Sequence, residues 1–140
     1  MGVSMSRETE ERNVKLVQAL FAATGSGDWT AAESMLTDDF FVTEADSNVF
    51  AGTYRGRGAL KELFSHVVSA AGITKLDVQQ YCAGGDLVVA MVEMTLGGPP
   101  QRLVTLAEVF RVRDGKVCEI KPHYFDPQPL TEAVEAKKRA

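Results

Sequence analysis

At 140 residues, 45% of them hydrophobic, the chain is long enough for one domain with a proper core and too short for two. A formal net charge of −4, with no basic run beyond Lys137-Lys138-Arg139, argues against a nucleic-acid partner, because phosphate binding needs clustered cations. No window approaches the roughly twenty apolar residues that span a bilayer, and no apolar stretch near the start resembles a signal peptide. No membrane partner is therefore expected, and the expected location is the cytoplasm.

Cys82 and Cys118 have no metal-ligand spacing and read as two reduced, buried thiols without a bridge. Met1-Gly2-Val3-Ser4-Met5-Ser6 fits the pattern for myristoylation of Gly2, but nothing nearby supplies the second signal that stable anchoring requires. Residues 1–6 are expected to be disordered, ahead of a single domain that fills the chain.

The first helix is expected from Arg7 to about Thr24, capped by Ser6, with Glu8, Glu10 and Glu11 at the positive end of its dipole and Gly25 and Gly27 ending it. Val14, Val17, Leu20 and Phe21 mark its buried stripe. A short second helix follows, with Asp28 as N-cap and Trp29, Ala32, Met35 and Leu36 facing inward; Trp29 reads as a core anchor. A strand runs from Phe40 to about Asp46, with Phe40, Val42 and Glu44 on one face. The segment Asp46–Gly58, which carries Tyr54, reads as a polar, Gly-rich loop over a pocket mouth. A third helix, Gly58–Ala71, has the apolar stripe Leu60, Leu63, Phe64, Val67 and Ala71, and leaves His66 exposed.

From Ile73 the period changes from helical to two. Ile73–Ala83, Asp86–Leu96, Arg102–Arg113 and Lys116–Phe125 read as a four-strand meander with turns at Gly84-Gly85-Asp86, Gly97-Gly98-Pro99-Pro100 and Asp114-Gly115. The strand 86–96 is apolar on both faces, which calls for cover on both. Helices can cover one side; a second copy of the chain is expected on the other, giving a homodimer through the outer sheet face. From Pro127 to residue 140 the chain reads as a polar, helix-prone tail lying over the surface. Helices followed by antiparallel strands mean α+β: three N-terminal helices packed in a strongly curved mixed or antiparallel sheet, closed by a short C-terminal helix or tail.

The last two strands carry the chemistry. Val104, Leu106, Phe110 and Val112 share a face with Glu108, and a carboxylate inside an apolar stripe is costly unless paired, protonated or wet. Glu44 follows apolar residues at the same parity on its own strand. The final strand ends in Pro122-His123-Tyr124-Phe125-Asp126, where Asp126 and Tyr124 share a parity and His123 takes the other unless Pro122 bulges the strand. Glu44, Glu108, Asp126 and His123 are the candidate catalytic residues, and Tyr54, Phe64, Met91, Phe110, Ile120 and Tyr124 the candidate ligand-lining ones. The direction of Glu93 stays open. The plainer alternative makes Glu44 a solvated strand-end residue, pairs Glu108 with Arg111, Arg113 or a neighbouring subunit, and has Asp126 only open a turn before Pro127. No metal triad, phosphate loop or Gly-x-Ser-x-Gly elbow is present in the sequence, and no metal or cofactor is called for.

The order of elements resembles the nuclear-transport-factor-2-like (NTF2-like) superfamily, which includes ketosteroid isomerases, scytalone dehydratase and SnoaL-type polyketide cyclases. The likeness is carried by Ser26-Gly27-Asp28-Trp29, Leu36-Thr37-Asp38-Asp39-Phe40, Tyr54-Arg55-Gly56-Arg57-Gly58-Ala59-Leu60 and Val109-Phe110-Arg111-Val112-Arg113-Asp114-Gly115-Lys116-Val117. It implies a cone-shaped fold. By resemblance to the ketosteroid isomerases, Glu44 falls at the general-base aspartate and Glu108 at the protonated aspartic acid of the oxyanion hole, the environment-tuned pair that serves as a worked example of divided carboxyl roles. The tyrosine that those enzymes carry on the first helix falls near Leu20 and is missing. By resemblance to the cyclases, Asp126 is similar to an acid/base aspartate near the end of the final strand.

These residues imply a small, cofactor-free enzyme that moves a proton on an apolar, carbonyl-bearing compound in the isomerase, cyclase or dehydratase style. The rival is a pocket protein that binds a small hydrophobic ligand, or serves in assembly, without catalysis. Carboxyls converging on one cavity favour the enzyme; carboxyls paired with arginines in a filled core favour the binder.

Overall fold

A computed structural model describes residues 3–140, with side chains from Ser6 onward. Gly2, and with it the myristoylation pattern, lies outside the described residues. Helix α1 spans Val3–Ser26, so of the expected disordered segment 1–6 the described part is helical. Nothing in Val3-Ser4-Met5-Ser6 breaks a helix, and extending one already nucleated costs little. Its stripe is as expected, with Val17, Leu20 and Ala23 buried and Val14 and Phe21 packed against them. Gly27, at φ 76°, ends it in the left-handed region.

Asp28 caps α2 (Trp29–Ser34), accepting the Ala31 N–H at 3.1 Å. Met35 and Leu36 were expected on this helix. Instead β1 (Leu36–Glu44) begins directly after Met35, because Leu36 is level with Val117 and the Val117 N–H binds the Met35 carbonyl. Pairing with a distant strand overrides local helix propensity here. The loop expected at 46–58 contains a strand, β2 (Gly52–Arg55), antiparallel to β1. Helix α3 (Ala59–Ala71) stops at Gly72, φ 72°, whose N–H binds the Val68 carbonyl.

The meander forms almost residue for residue as β3 (Ile73–Gly84), β4 (Leu87–Leu96), β5 (Arg102–Arg113) and β6 (Lys116–Tyr124). The last turn, Asp114-Gly115, has positive φ at both residues, which suits the twist of a two-residue hairpin. All six strands form one sheet in the order β2-β1-β6-β5-β4-β3, parallel only where β1 meets β6. Register shifts in β1, in β3 and between β5 and β6 add local twist and curl the sheet. Helices α1 and α3 then lie against its concave side.

Strand β4 is buried on one face only. Val88, Ala90, Val92, Met94 and Leu96 enter the core, whereas Met91 is 42% exposed on the outer face, beside Val89 and Glu93. Glu93 therefore points outward, where its carboxylate accepts from Gln79 at 3.1 Å. Cys118 is buried and Cys82, on the outer face of β3, is exposed; both are free. Only the first matches the expectation of buried thiols.

The C-terminal segment is a core element, not a surface tail. Helix α4 (Gln128–Arg139) buries Leu130, Ala133 and Val134 against α3 and β5. Its ends are tied by Arg102 to Glu132 at 3.6 Å and by the Lys137 ammonium to the Ser69 carbonyl at 2.7 Å. No helix among the described residues is long and apolar enough to cross a membrane. Leu130 is fully buried, so Leu130→Ala is expected to cost about 2–4 kcal/mol in urea unfolding. A cost near zero would return the helix to the role of surface tail.

Candidate functional site

Alternation along β5 puts Val104, Leu106, Glu108, Phe110 and Val112 on the concave face and Arg111 and Arg113 on the outer one. Those arginines are engaged elsewhere. Arg111 pairs with Asp86 at 3.0 Å and Glu119 at 3.4 Å, and Arg113 with Asp39 at 2.5 Å. Glu108 forms no ion pair among the described residues, which removes the arginine-paired alternative. Its cross-strand neighbours are Ala90 on β4 and Pro122 on β6. A methyl group and a proline ring offer its carboxyl no hydrogen-bond donor.

Glu44 ends the concave face of β1, after the buried Phe40 and Val42. Val42 is level with Ile120 on β6. Beyond that pair, Glu44, Pro122 and Glu108 all line one small lobe, so the two carboxyls share a face of the sheet. Glu44 is only 4% exposed, and its Oε1 has no hydrogen-bond partner.

Both carboxyls open on apolar space. A cavity of about 310 Å³ is bounded by Leu20, Phe21, Leu60, Phe64, Leu76, Val78, Glu108, Phe110 and Ile120, with Ala22, Thr24 and Gly25 at its rim. A smaller lobe of about 80 Å³ continues past Leu60, Phe64, Leu76, Glu108 and Ile120 to Glu44, Pro122 and Tyr124. Glu108 thus stands where the lobes meet, and Glu44 lines the smaller one. Aromatic contacts set the walls: Phe21 meets Phe110 edge-on at 5.5 Å, and Trp29 meets Phe64 at 5.7 Å.

This surrounding decides protonation. Burial pushes Glu44 from its ordinary 4.5 up to about 8, with the charge of Glu108 adding to the shift. Burial alone pushes Glu108 up to about 7. Two like charges in an apolar cavity without a cation disfavour each other, so the pair keeps a proton at neutral pH. The phenol of Tyr124 is also raised, by burial and then by Glu44 and Glu108, while contact with the Asn48 amide pulls the other way.

The other candidates divide. Phe64, Phe110, Ile120 and Tyr124 line the cavity. Tyr54 stands behind it, its hydroxyl donating to the Phe50 carbonyl at 2.8 Å. Met91 and His123 are on the outer face, Met91 by the register that buries its neighbours Ala90 and Val92, and His123 because Pro122 keeps its own parity and bulges nothing. His123 shares a shallow outer depression with Val109, Arg111 and Lys121. Asp126 is exposed beyond the end of β6 and accepts the Gln128 N–H at 3.0 Å, the turn-opening role of the plainer alternative. His66 is exposed, as expected. Sequence reasoning missed Asn48, a buried amide in the β1–β2 connection whose Nδ2 has no partner. Nothing in the polar run Asp46-Ser47-Asn48 marks it, since loops show no periodicity to read. Leu20 does line the cavity, so the position of the missing tyrosine is part of the wall.

The family model for a SnoaL-like domain matches residues 17–120. No curated protein matches the chain. Among solved structures, an NTF2-like protein from Burkholderia xenovorans LB400 is 24% identical, over 89% of this chain and 97% of that one, at a TM-score of 0.75. Bal32a, from a soil-derived mobile gene cassette, is 22% identical over 88% and 96%, at a TM-score of 0.79. TerC, co-crystallised with polyporic acid, is 20% identical over 89% and 98%, at a TM-score of 0.76. Identities this low establish a shared fold.

The raised carboxyls make stability depend on pH. A carboxyl with folded pKa above its unfolded value stabilises the fold below the unfolded value, and loses that contribution as pH rises through the folded one. For Glu44 the window runs from 4.5 to about 8, and for Glu108 from 4.5 to about 7. Wild type should therefore weaken from pH 5 to pH 8, while Glu44→Gln and Glu108→Gln should each gain on it by up to about 1.4 kcal/mol per pH unit within their windows. Urea melts at both pH values read this directly. A variant that instead falls further below wild type at pH 8 would mark that carboxylate as ion-paired.

Proposed function

The chain belongs to the SnoaL-like domain family of the NTF2-like superfamily, a superfamily of small ligand-binding and isomerase-type proteins, and from that premise we propose that it catalyses proton transfer on a small apolar ketone. The observation that carries this reading is the convergence of Glu44 and Glu108 on one apolar cavity, with neither paired to a cation among the described residues. A base must reach the substrate and ionise near the working pH. Glu108, at the junction of the lobes and with the lower pKa, fits that task. Glu44, in the smaller lobe with the higher pKa, fits the neutral partner that donates a hydrogen bond to the oxygen of the developing enolate. This exchanges the roles implied by resemblance to the ketosteroid isomerases. The fold neighbour co-crystallised with polyporic acid supports a small organic occupant.

In the proposed step Glu108 takes a proton from the carbon next to the carbonyl, Glu44 hydrogen-bonds the enolate oxygen, and the proton returns from Glu108 to the same or a conjugated carbon. One observation favours binding without catalysis: Leu20 occupies the wall where the isomerases place a tyrosine. Exchange of the α-hydrogens of 1-tetralone with D2O separates the readings. Wild type is expected to exceed the buffer rate, in a bell between about 7 and about 8, and Glu108→Gln to lose on the order of a hundredfold. Binding of the ketone with no exchange above buffer would leave the binder.

We further propose that a second copy of the chain covers the outer sheet face. Met91 and Leu103 are 42% and 52% exposed there, and Phe125, bonded through its N–H to Thr105, is 89% exposed. Both charge signs surround them, Lys75, Arg111 and Lys121 with Asp77, Glu93 and Glu119, as a two-fold self-contact requires. Sedimentation equilibrium should give a dimer at micromolar concentration, burying about 800 Å² per partner, and Met91→Asp should give a monomer. A monomeric wild type would end the proposal.

A further inference from the structure

On its side chains the cavity carries oxygen and no nitrogen. Apart from Thr24 at the rim, whose hydroxyl donates to the Phe21 carbonyl at 3.1 Å, the polar side chains of the two lobes are Glu44, Glu108 and Tyr124. Among the described residues no arginine, lysine, histidine or amide side chain lines either lobe. The next titratable groups outward, Tyr54 and Tyr81, feel the charges of Glu44 and Glu108, and both are phenols that burial holds neutral. Proton transfer on a ketone uses the carboxyl pair with a proton kept. It leaves aside what the pair lacks, a positive charge to face.

Chemistry selects what completes such a place. Folding has already stripped water from both carboxyls, so an entering cation meets them without desolvating them further. A primary ammonium, like the head of a lysine, brings three N–H donors and no acceptor. The smaller lobe, about 80 Å³, offers it three oxygen-bearing side chains, and the adjoining lobe of about 310 Å³ has walls for an apolar body. We propose that the cavity is a binding site for a primary amine on an apolar body, its ammonium held in the smaller lobe among Glu44, Glu108 and Tyr124. As the ammonium enters, one carboxyl gives its proton to solvent and becomes the counter-ion; no bond to carbon forms or breaks. The other carboxyl stays protonated and accepts through its carbonyl oxygen, since one cation offsets one anion and two carboxylates repel each other. This ligand class goes beyond the ketone reading and needs no catalysis. It competes with a ketone for the same space.

Calorimetric titration of 2-aminotetralin, with the uncharged 2-tetralol as its near-isostere, tests this on wild type, Glu44→Gln, Glu108→Gln and the double variant. The amine, with the ordinary basicity of an alkylammonium, is charged at pH 6 and at pH 7. Wild type should prefer it to the alcohol by at least about tenfold at pH 7, the scale of a hydrogen bond to a charged group. In buffers of different ionisation enthalpy at pH 6, binding should release about one proton, and affinity should rise about fivefold from pH 6 to pH 7. Each single variant keeps one carboxyl and a reduced preference, and the double variant should bind amine and alcohol equally. Proton release by wild type reads the same contact without any substitution, so a double variant that fails to fold leaves the test intact. Equal affinity of wild type for the two ligands, binding without proton release, a preference that survives in the double variant, or no binding of the amine each overturns the proposal. The α-hydrogen exchange assay keeps the two readings apart. Amine binding with proton release but no exchange sinks the proton transfer alone, and exchange that saturating amine leaves unchanged sinks this site alone.

Discussion

Strand β6 is shared between two halves of the molecule, and its double pairing is the constraint from which the site follows. On one side it lies parallel to β1, which comes from the helical N-terminal half; on the other it is the antiparallel partner of β5 in the closing hairpin. Its Pro122 has Glu108 across from it on β5, and Glu44 on β1 lines the same small lobe. A shift of either register by a single residue would turn one carboxyl out to solvent, because side chains alternate with a period of two. A shift would equally expose Phe40 and Val42, or Leu106 and Phe110, which are among the most buried residues of the core. The hydrophobic core thus holds the two carboxyls in place at a position where each is electrostatically unfavourable by itself.

That cost defines the chemistry. In water, a carboxyl near 4.5 is ionised at neutral pH and a poor acid. Burial against Leu60, Phe64, Leu76 and Ile120 removes the hydration that stabilises the anion, and the nearest arginines are committed on the outer face to Asp86, Glu119 and Asp39. Because Glu44 is raised by burial and by the charge of Glu108, and Glu108 by burial alone, the same cavity gives the two carboxyls different proton affinities. Unequal affinity is what lets one of a pair accept a proton while the other holds one. Removal of an outer-face arginine would leave the pair unchanged, whereas a cation introduced on the inner face would ionise it and erase the difference.

The helices serve the cavity as well as the core. Phe21 on α1 and Phe110 brace each other within the wall of the larger lobe, and Trp29 on α2 holds Phe64 from behind it. Helix α4 seals the same body from another side, with Leu130 fully buried.

Much of this was legible from residue order. The strands 73–84, 87–96, 102–113 and 116–124 could be placed from alternation and Gly-rich turns, the stripes of α1 and α3 from helical spacing, and Glu108 and Glu44 from the conflict between a carboxylate and the apolar parity around it. These are local signals, and a short window contains all the physics behind them. What only the tertiary structure decided depends on partners far along the chain. Leu36 left its helix because Val117 pairs with it, and residues 52–55 became a strand because β1 offered an edge. Met91 and His123 fell on the outer face, since a two-sided apolar strand does not say which side meets the helices. Asp126 shared a parity with Tyr124 but lies past the end of the sheet, where parity carries no meaning. Asn48 had no sequence signal at all: its burial is a property of the folded packing, not of residue order.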